Sequence, residues 1–288
     1  MAAFEVPEVD YTRYSNRQLV AVPLAVLALA LLVIAAWYLT TGTPVRLGME
    51  FTGGTELVVQ TGATQSQVAD AFDPAPTAIR PVQNSNSYIV SFQATGQDDA
   101  LRRQATEAGY TIRSLQQTTP AFASQAQQTA LLGVVVAFVG MSVVVFALFR
   151  SFVPSIAVVA SAFSDLVIPV ALMNLLNIKL SLGTVAALLM LIGYSVDSDI
   201  LLNNHVLRRS GDFYESTHRA MQTGVTMTVT SISAMVVMTI VAFAFGIQLL
   251  TSIGVVLVMG LTADLMNTYM LNLSLLRWWK FEGVARFR

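Results

Sequence analysis

Six stretches of this chain each run for about 20 predominantly apolar residues, the length a helix needs to cross the hydrocarbon core of a bilayer. They fall at 19–39, 129–149, 153–176, 180–203, 224–245 and 249–276. In lipid every backbone polar group must be satisfied within the segment, so each stretch is read as a transmembrane helix. The composition agrees. The chain is 55% hydrophobic and 11% charged, against about 25% charged in soluble domains. A net charge of −1 gives no basis for nucleic-acid binding. The lack of cysteine excludes disulfides and thiolate metal sites, and His205 and His218 are too few for a histidine cluster, so neither metal nor cofactor is expected. The first stretch, with Pro23 near its start, is long for a signal peptide and no A-x-A site follows it. It is read as a permanent anchor.

Basic residues near the ends of the spans set the orientation. Arg13 and Arg17 precede the first span, and Arg150 lies between the second and third. Arg208, Arg209 and Arg219 lie between the fourth and fifth, and Arg277, Lys280, Arg286 and Arg288 follow the sixth. The alternate short loops carry only Lys179. This bias puts both termini, 1–18 and 277–288, in the cytoplasm, together with the 205–223 loop, and puts 40–128 outside. Trp37, Tyr38, Trp278 and Trp279 suit the interfacial belts. In the 205–223 loop, "GDFYESTHRAMQTG" reads as a short surface helix capped by Asp212, with Glu215 three residues on to complete a capping box.

Segment 40–128 is polar and rich in proline and acids. "MEFTGGTELVVQ" has strand composition broken by Gly53-Gly54, and "SQVADAF" reads as a short helix opened by Thr64 or Ser66. "TAIRPV" and "SYIVSFQ" read as strands around the turn "QNSNS". "QDDALRRQATEAG" is a helix with Asp98 and Asp99 at its positive end and Gly109 at its stop, and "YTIRSLQQT" is a last strand. The order β-α-β-β-α-β is that of a ferredoxin-like sandwich. The fold class expected is therefore a polytopic α-helical membrane protein, one span plus five, with a small α+β ferredoxin-like extracytoplasmic domain between the first and second.

Four carboxylates lie inside spans: Asp165, Asp197, Asp199 and Asp264. Each costs about 2.5–3.5 kcal/mol at a helix centre by insertion scales. They must therefore face protein, water or a partner. Asp197 shares a helical face with Gly193, Leu201 and Asn204, whereas Asp199, turned by about 200°, aligns with Ser195 and Asn203. Thr226, Thr230 and Ser233 on span five, and Asn267 and Thr268 beside Asp264, are candidate supporting groups. No lysine or arginine lies inside a span to neutralise these acids, so protonation is the cheapest way to bury them. Asp197 heads the candidates for binding and releasing a proton or cation, followed by Asp264, Asp165 and Asp199. The competing reading is that these acids are hydrogen-bonding glue between helices.

Enzymatic readings find little support. Gly53-Gly54 opens no helix and is followed by no phosphate-loop lysine. Gly193-Tyr194-Ser195 has no histidine at its depth to activate a serine. An Asp197–Asp264 protease dyad would need two carboxyls sharing one proton.

One span, an outer domain and five further spans form the layout of half an RND-type transporter. "GMEFTGGTELVV", with Gly48, Phe51, Gly53, Gly54 and Thr55, resembles the signature that opens the outer domain in SecD and SecF. "GYSVDSDILLNNHVLRR", with Gly193, Tyr194 and Ser195, resembles the fourth-span signature of the SecF family, especially in its archaeal form. The resemblance implies a non-enzymatic accessory subunit of the Sec protein-export machinery. Its implied partners are a SecD-like subunit, the Sec translocon, secreted polypeptides and membrane lipid. It also implies that Asp197 couples proton movement to motion of the outer domain. Bacterial SecF carries Asn-Asp where this chain has Asp197-Ser198, so the acid is shifted by one. The alternative is half of an RND-type exporter of lipids or small hydrophobic molecules, against which the 89-residue outer segment offers little room for a ligand pocket.

Overall fold

A computed structural model describes residues 6, 9–82, 85–93, 96–208 and 212–283. Arg209, Arg286 and Arg288, on which the orientation rests in part, and Gln83 and Asn84 of the expected turn lie outside the described residues.

The first span, α1, runs Asn16–Thr41. Ser15 and Gln18 cap its start reciprocally: the Gln18 amide donates to Ser15 Oγ at 3.3 Å and the Ser15 amide to Gln18 Oε1 at 2.9 Å. Gly42, at φ 77°, closes its other end. One turn of helix, α2 (Met49–Thr52), comes next, where strand composition had been read. The turn is made by Gly48 and Gly53 at its two ends.

The small domain then follows: β1 (Gly54–Gln60), α3 (Gln65–Asp70), β2 (Ala78–Val82), β3 (Ser87–Phe92), α4 (Asp98–Glu107) and β4 (Thr111–Thr118). The sheet order is β2-β3-β1-β4 and every pairing is antiparallel. That is the ferredoxin-like arrangement the element order implies. Thr64, not Ser66, caps α3, whose Gln67 amide donates to Thr64 Oγ1 at 3.4 Å. Alternation along β1 turns Leu57 and Val59 onto Val68, Phe72, Leu101 and Ala105 from the helical layer. Val90 and Phe92 of β3 complete this core, and the Phe72 and Phe92 rings meet edge to face at 5.2 Å.

Five long helices complete the chain: α5 (Pro120–Phe149), α6 (Phe152–Leu175), α7 (Leu182–Arg208), α8 (Phe213–Ala244) and α9 (Gln248–Met266). The chain continues from α9 without a break through a π-type turn, Asn267–Asn272, into α10 (Leu273–Trp278). Among the described residues, six helical spans are thus long and apolar enough to cross a membrane. Two differ from the sequence reading. The second begins at Pro120, nine residues before the apolar run, because Thr119 caps it and Pro120 suits a first helical position. The expected surface helix of 205–223 is the first part of α8 and runs straight into the fifth span. Asp212 does cap it, accepting from the Tyr214 amide at 3.1 Å. Glu215 reaches forward to Arg219 instead of back to the cap.

The spans are buried unequally. In the bundle 56% of the apolar stretch of α6, and the same share of α7, is buried, against 6% for α5 and 11% for α8. Helices α6 and α7 can therefore turn polar groups toward protein, whereas α5 and α8 show most of their surface to the surroundings.

The domain is latched to the bundle through the segment that carries Gly48 and Phe51. The Gly48 amide donates to Leu180 O, and the Leu180 amide to Arg46 O, both at 2.7 Å. Asn174 accepts from the Arg46 amide at 3.1 Å and donates to Pro44 O at 3.0 Å. Phe51 is buried against Ala126 and Val185, with Leu47 and Leu180 alongside, and Gln127 donates to its carbonyl oxygen. A cleft of about 460 Å³ lies between the sheet and the ends of the spans, lined by Glu50, Glu56, Arg80 and Lys179 among others. Burial there, with Arg80 nearby, holds the Lys179 ammonium below its ordinary pKa.

Candidate functional site: a buried three-carboxyl network

Helix α7 divides its polar residues between two sides. Ser195, Asp199 and Asn203 are fully buried and point into the bundle. Gly193, Tyr194, Asp197 and Asn204 are exposed on its outside. This is the consequence of the rotation of about 200° between Asp197 and Asp199.

The inner stripe meets Asp165 of α6 and Asp264 of α9, both buried. Asp165 accepts from Ser195 Oγ at 2.6 Å and from Asn267 Nδ2 at 2.6 Å. Asp264 accepts from Ser198 Oγ at 2.8 Å through Oδ1 and 3.1 Å through Oδ2. Asp199 Oδ1 accepts from Thr268 Oγ1 at 2.9 Å and from Asn272 Nδ2 at 2.8 Å. The Thr268 hydroxyl lies 3.2 Å from Asp264 Oδ1 as well, and 3.2 Å from Ser198 Oγ. Thr268 therefore bridges two carboxyls on different helices, Asp199 and Asp264, Ser198 joins Thr268 at Asp264, and Ser195 ties Asp165 to α7.

The partners of the three carboxyls are hydroxyls and amides. No lysine or arginine lies within the apolar runs 153–176, 180–203 and 249–276 that hold these acids. A hydroxyl can donate to a carboxylate or accept from a carboxylic acid, so the Ser and Thr bridges serve either protonation state. Among the described residues, Oδ2 of Asp199 has no hydrogen-bond partner, and neither have the neighbouring oxygens Asn267 Oδ1 and Asn272 Oδ1. An unsatisfied buried acceptor costs about 1–3 kcal/mol. A proton on the cluster gives such acceptors a donor.

The sequence candidates thus part company. Asp165, Asp199, Asp264 and Asn267 come together with Ser195. Asp197, ranked first from sequence, does not join them, because its helix face is turned outward; nor does Asn204. Thr230 and Ser233 do not support the acids either. They lie on the exposed face of α8, and their hydroxyls donate back to Thr226 O at 2.7 Å and Val229 O at 2.8 Å. Gly48, Phe51, Gly53, Gly54 and Thr55 lie far along the chain in the latch and first strand, not at the acids.

Sequence reasoning missed Asn272 and Ser198. Asn267 and Asn272 are five residues apart, about 140° around an α-helix. The π-type turn between them widens the helix and brings both amides onto the carboxyls. Such turns recur at functional sites. Ser198 sits between the two α7 acids, where its type signals little by itself. Tyr269, in the same turn, closes the side of the site. Its hydroxyl sits where a Cβ on Gly224 would come within 2.2 Å, so glycine there admits the ring.

Comparison with known proteins agrees with the architecture. Residues 99–282 match the family model "Protein export membrane protein SecD/SecF, C-terminal", and residues 38–65 match "SecD/SecF GG Motif". The protein-export membrane protein SecF of Haloferax volcanii is 69% identical over 287 residues, covering 99% of this chain and 100% of the relative. SecF of Haloquadratum walsbyi is 66% identical over 291 residues, and that of Pyrococcus furiosus 36% identical over 269, covering 91% of this chain and 90% of the relative. The crystal structure of SecDF, a translocon-associated membrane protein from Thermus thermophilus, shares the fold with a TM-score of 0.72 at 19% identity over 95% of this chain. This chain spans 39% of the length of that one. Two family motifs, six spans and full-length relatives agree: the chain belongs to the SecF family of protein-export membrane proteins.

Proposed function

We propose that the chain works as a non-enzymatic accessory subunit of the Sec machinery, paired with a SecD-like subunit. In this reading the two together assist secreted polypeptides across the cell membrane at the translocon, and both termini face the cytoplasm. Family membership supports the export role, and the basic residues beside the spans support the orientation.

The observation that carries the mechanistic part is the three-carboxyl network, with no lysine or arginine in the apolar runs 153–176, 180–203 and 249–276 that hold it. Intramembrane acids held this way mark ion pathways in general. Proton or cation binding at Asp165, Asp199 and Asp264 would change which hydroxyls donate and which accept, and so favour one packing of α6, α7 and the sixth span over another. The hydrogen-bonded segment from Pro44 to Phe51 then transmits that shift to the α+β domain.

Asp197 takes a different role from the one its position in the motif suggested. With Asn204 it is exposed on the outer side of α7. Lipid does not satisfy a carboxylate, so this face is assigned to the SecD-like subunit. Tagged protein purified from native membranes should bring down a SecD-like subunit and translocon subunits, identified by mass spectrometry. Asp197→Leu should lower recovery of that subunit by about fivefold, the effect of losing roughly 1 kcal/mol of pairing, with the variant itself present in the membrane at the normal level. Unchanged recovery would remove Asp197 from the interface. Recovery of bound lipid without Sec subunits would favour the exporter.

A further inference from the structure

On the face opposite the α+β domain, the chain ahead of α1 is packed across the ends of the other spans. Val6 and Tyr11 are buried. They belong to one apolar cluster with Leu202 and Val206 of α7, Ala220 and Met221 of α8, and Tyr269, Leu273 and Leu276 of the sixth span. The Tyr11 hydroxyl donates to Met221 Sδ at 3.3 Å. Arg277 fixes the segment from the far side, because its Nη1 donates to Tyr11 O at 3.1 Å and Tyr14 O at 2.8 Å. Its guanidinium also lies over the Tyr214 ring, 5.7 Å from the centroid. Asp10 folds the segment into a single turn by accepting from the Thr12 amide at 3.0 Å and pairing with Arg13 at 3.0 Å.

The place where this segment lands matters. Tyr269 belongs both to the cluster under Tyr11 and to the π-type turn whose neighbours Thr268 and Asn272 hold Asp199. The apolar layer of Tyr11, Met221, Tyr269 and Leu273 is therefore what lies between this face of the protein and the carboxyls. The segment ahead of α1 is held there by Arg277, bonded to two carbonyl oxygens of the stretch 9–15, and by the buried side chains of Val6 and Tyr11. None of these contacts belongs to the helical ladder of any span. Contacts of this kind are the first to open in local unfolding.

We propose that residues 9–14 form a strap that closes the three-carboxyl network to water on the face opposite the domain, and that its release opens the network to that side. The strap supplies a gate for the ion-coupling reading of the site and rests on it. Held shut, it would leave the acids reachable only from elsewhere; lifted, it would let protons exchange with the face opposite the domain.

The chain has no cysteine, so single thiols report access without background. The reporter is Ser198→Cys, which keeps the side chain's size beside Asp264, in the full chain reconstituted in lipid nanodiscs. It is labelled with a small, charged, membrane-impermeant thiosulfonate. Strap-loosening variants Tyr11→Ala and Arg277→Gln should each raise the labelling rate by about tenfold or more, as expected for a local opening made easier. Val145→Cys, buried in a different cluster, should stay slow in both backgrounds. An unchanged Ser198→Cys rate in Tyr11→Ala and in Arg277→Gln overturns the strap. So does a parallel rise at Val145→Cys, which would mean that the whole bundle had loosened. This readout does not depend on export or ion movement: a gate found with inert acids would fail the coupling proposal, not the strap.

Discussion

Replacing Gly54 with alanine is expected to unfold the α+β domain while leaving the spans in place. Gly54 opens β1 at φ 129°, a backbone conformation that side chains rarely adopt. A Cβ there would sit 2.3 Å from Phe92 O, a backbone atom of the neighbouring strand that cannot turn aside. Strain at such a position costs about 1–3 kcal/mol, and relieving the clash by moving β3 costs about 1–3 kcal/mol more. The sum is of the order of the whole stability of a domain this small, roughly 0.05–0.15 kcal/mol per residue. Limited proteolysis of the purified protein should show cutting within 54–118 under conditions where the parent chain is intact. A domain that resists protease as the parent does would mean that the strand shifts cheaply and that the glycine pair serves something other than this close approach.

Phe51→Ala should act on the joint and spare both parts it connects. The ring is 2% exposed and fills the gap between α2, α5 and α7. The domain's own core, around Leu57, Val59, Phe72 and Leu101, does not include it. Truncating a buried phenylalanine costs about 3–5 kcal/mol. Here that loss falls on the contact between domain and bundle. The expected result is faster hydrogen exchange at the amides of Gly48 and Leu180, which bond across the joint, with little change along β1 and β3. Export should fall as well, since a loosened joint transmits less. Exchange that rises equally throughout the domain would show that Phe51 supports the fold itself.

What could be read from the sequence followed from patterns repeated over many residues. Six apolar runs dictate six helices, and the strand composition of 54–60 with turn residues at 83–87 points to strands. Where one residue decides, reading by pattern failed. Strand-like "MEFT" became a helical turn because Gly48 and Gly53 lie at its ends. The apolar run of span two gave no sign of the cap at Thr119.

The site shows the same division. The separation of Asp197 from Asp199 onto opposite faces follows from helical rotation, but which face looks inward depends on how α7 sits between α6 and the sixth span. A single helix carries no such information. The motif drew the eye to Asp197, whereas Asp199 occupies the buried network. The contribution of Asn272 depends on a widened turn that has no composition of its own.

The central claim is that Asp165, Asp199 and Asp264 act as one protonatable group in export. It is tested most directly by the export rate of a pulse-labelled secreted protein in cells whose sole copy of this subunit carries Asp199→Asn. The amide keeps the shape and can still accept from Thr268 or Asn272, but it cannot take up a proton. The account predicts that the variant accumulates, retains its SecD-like partner, and exports at least about tenfold more slowly, a loss of roughly 1.4 kcal/mol. Export at the parental rate, with the complex intact, would contradict it and leave the three carboxyls as a means of holding the helices together.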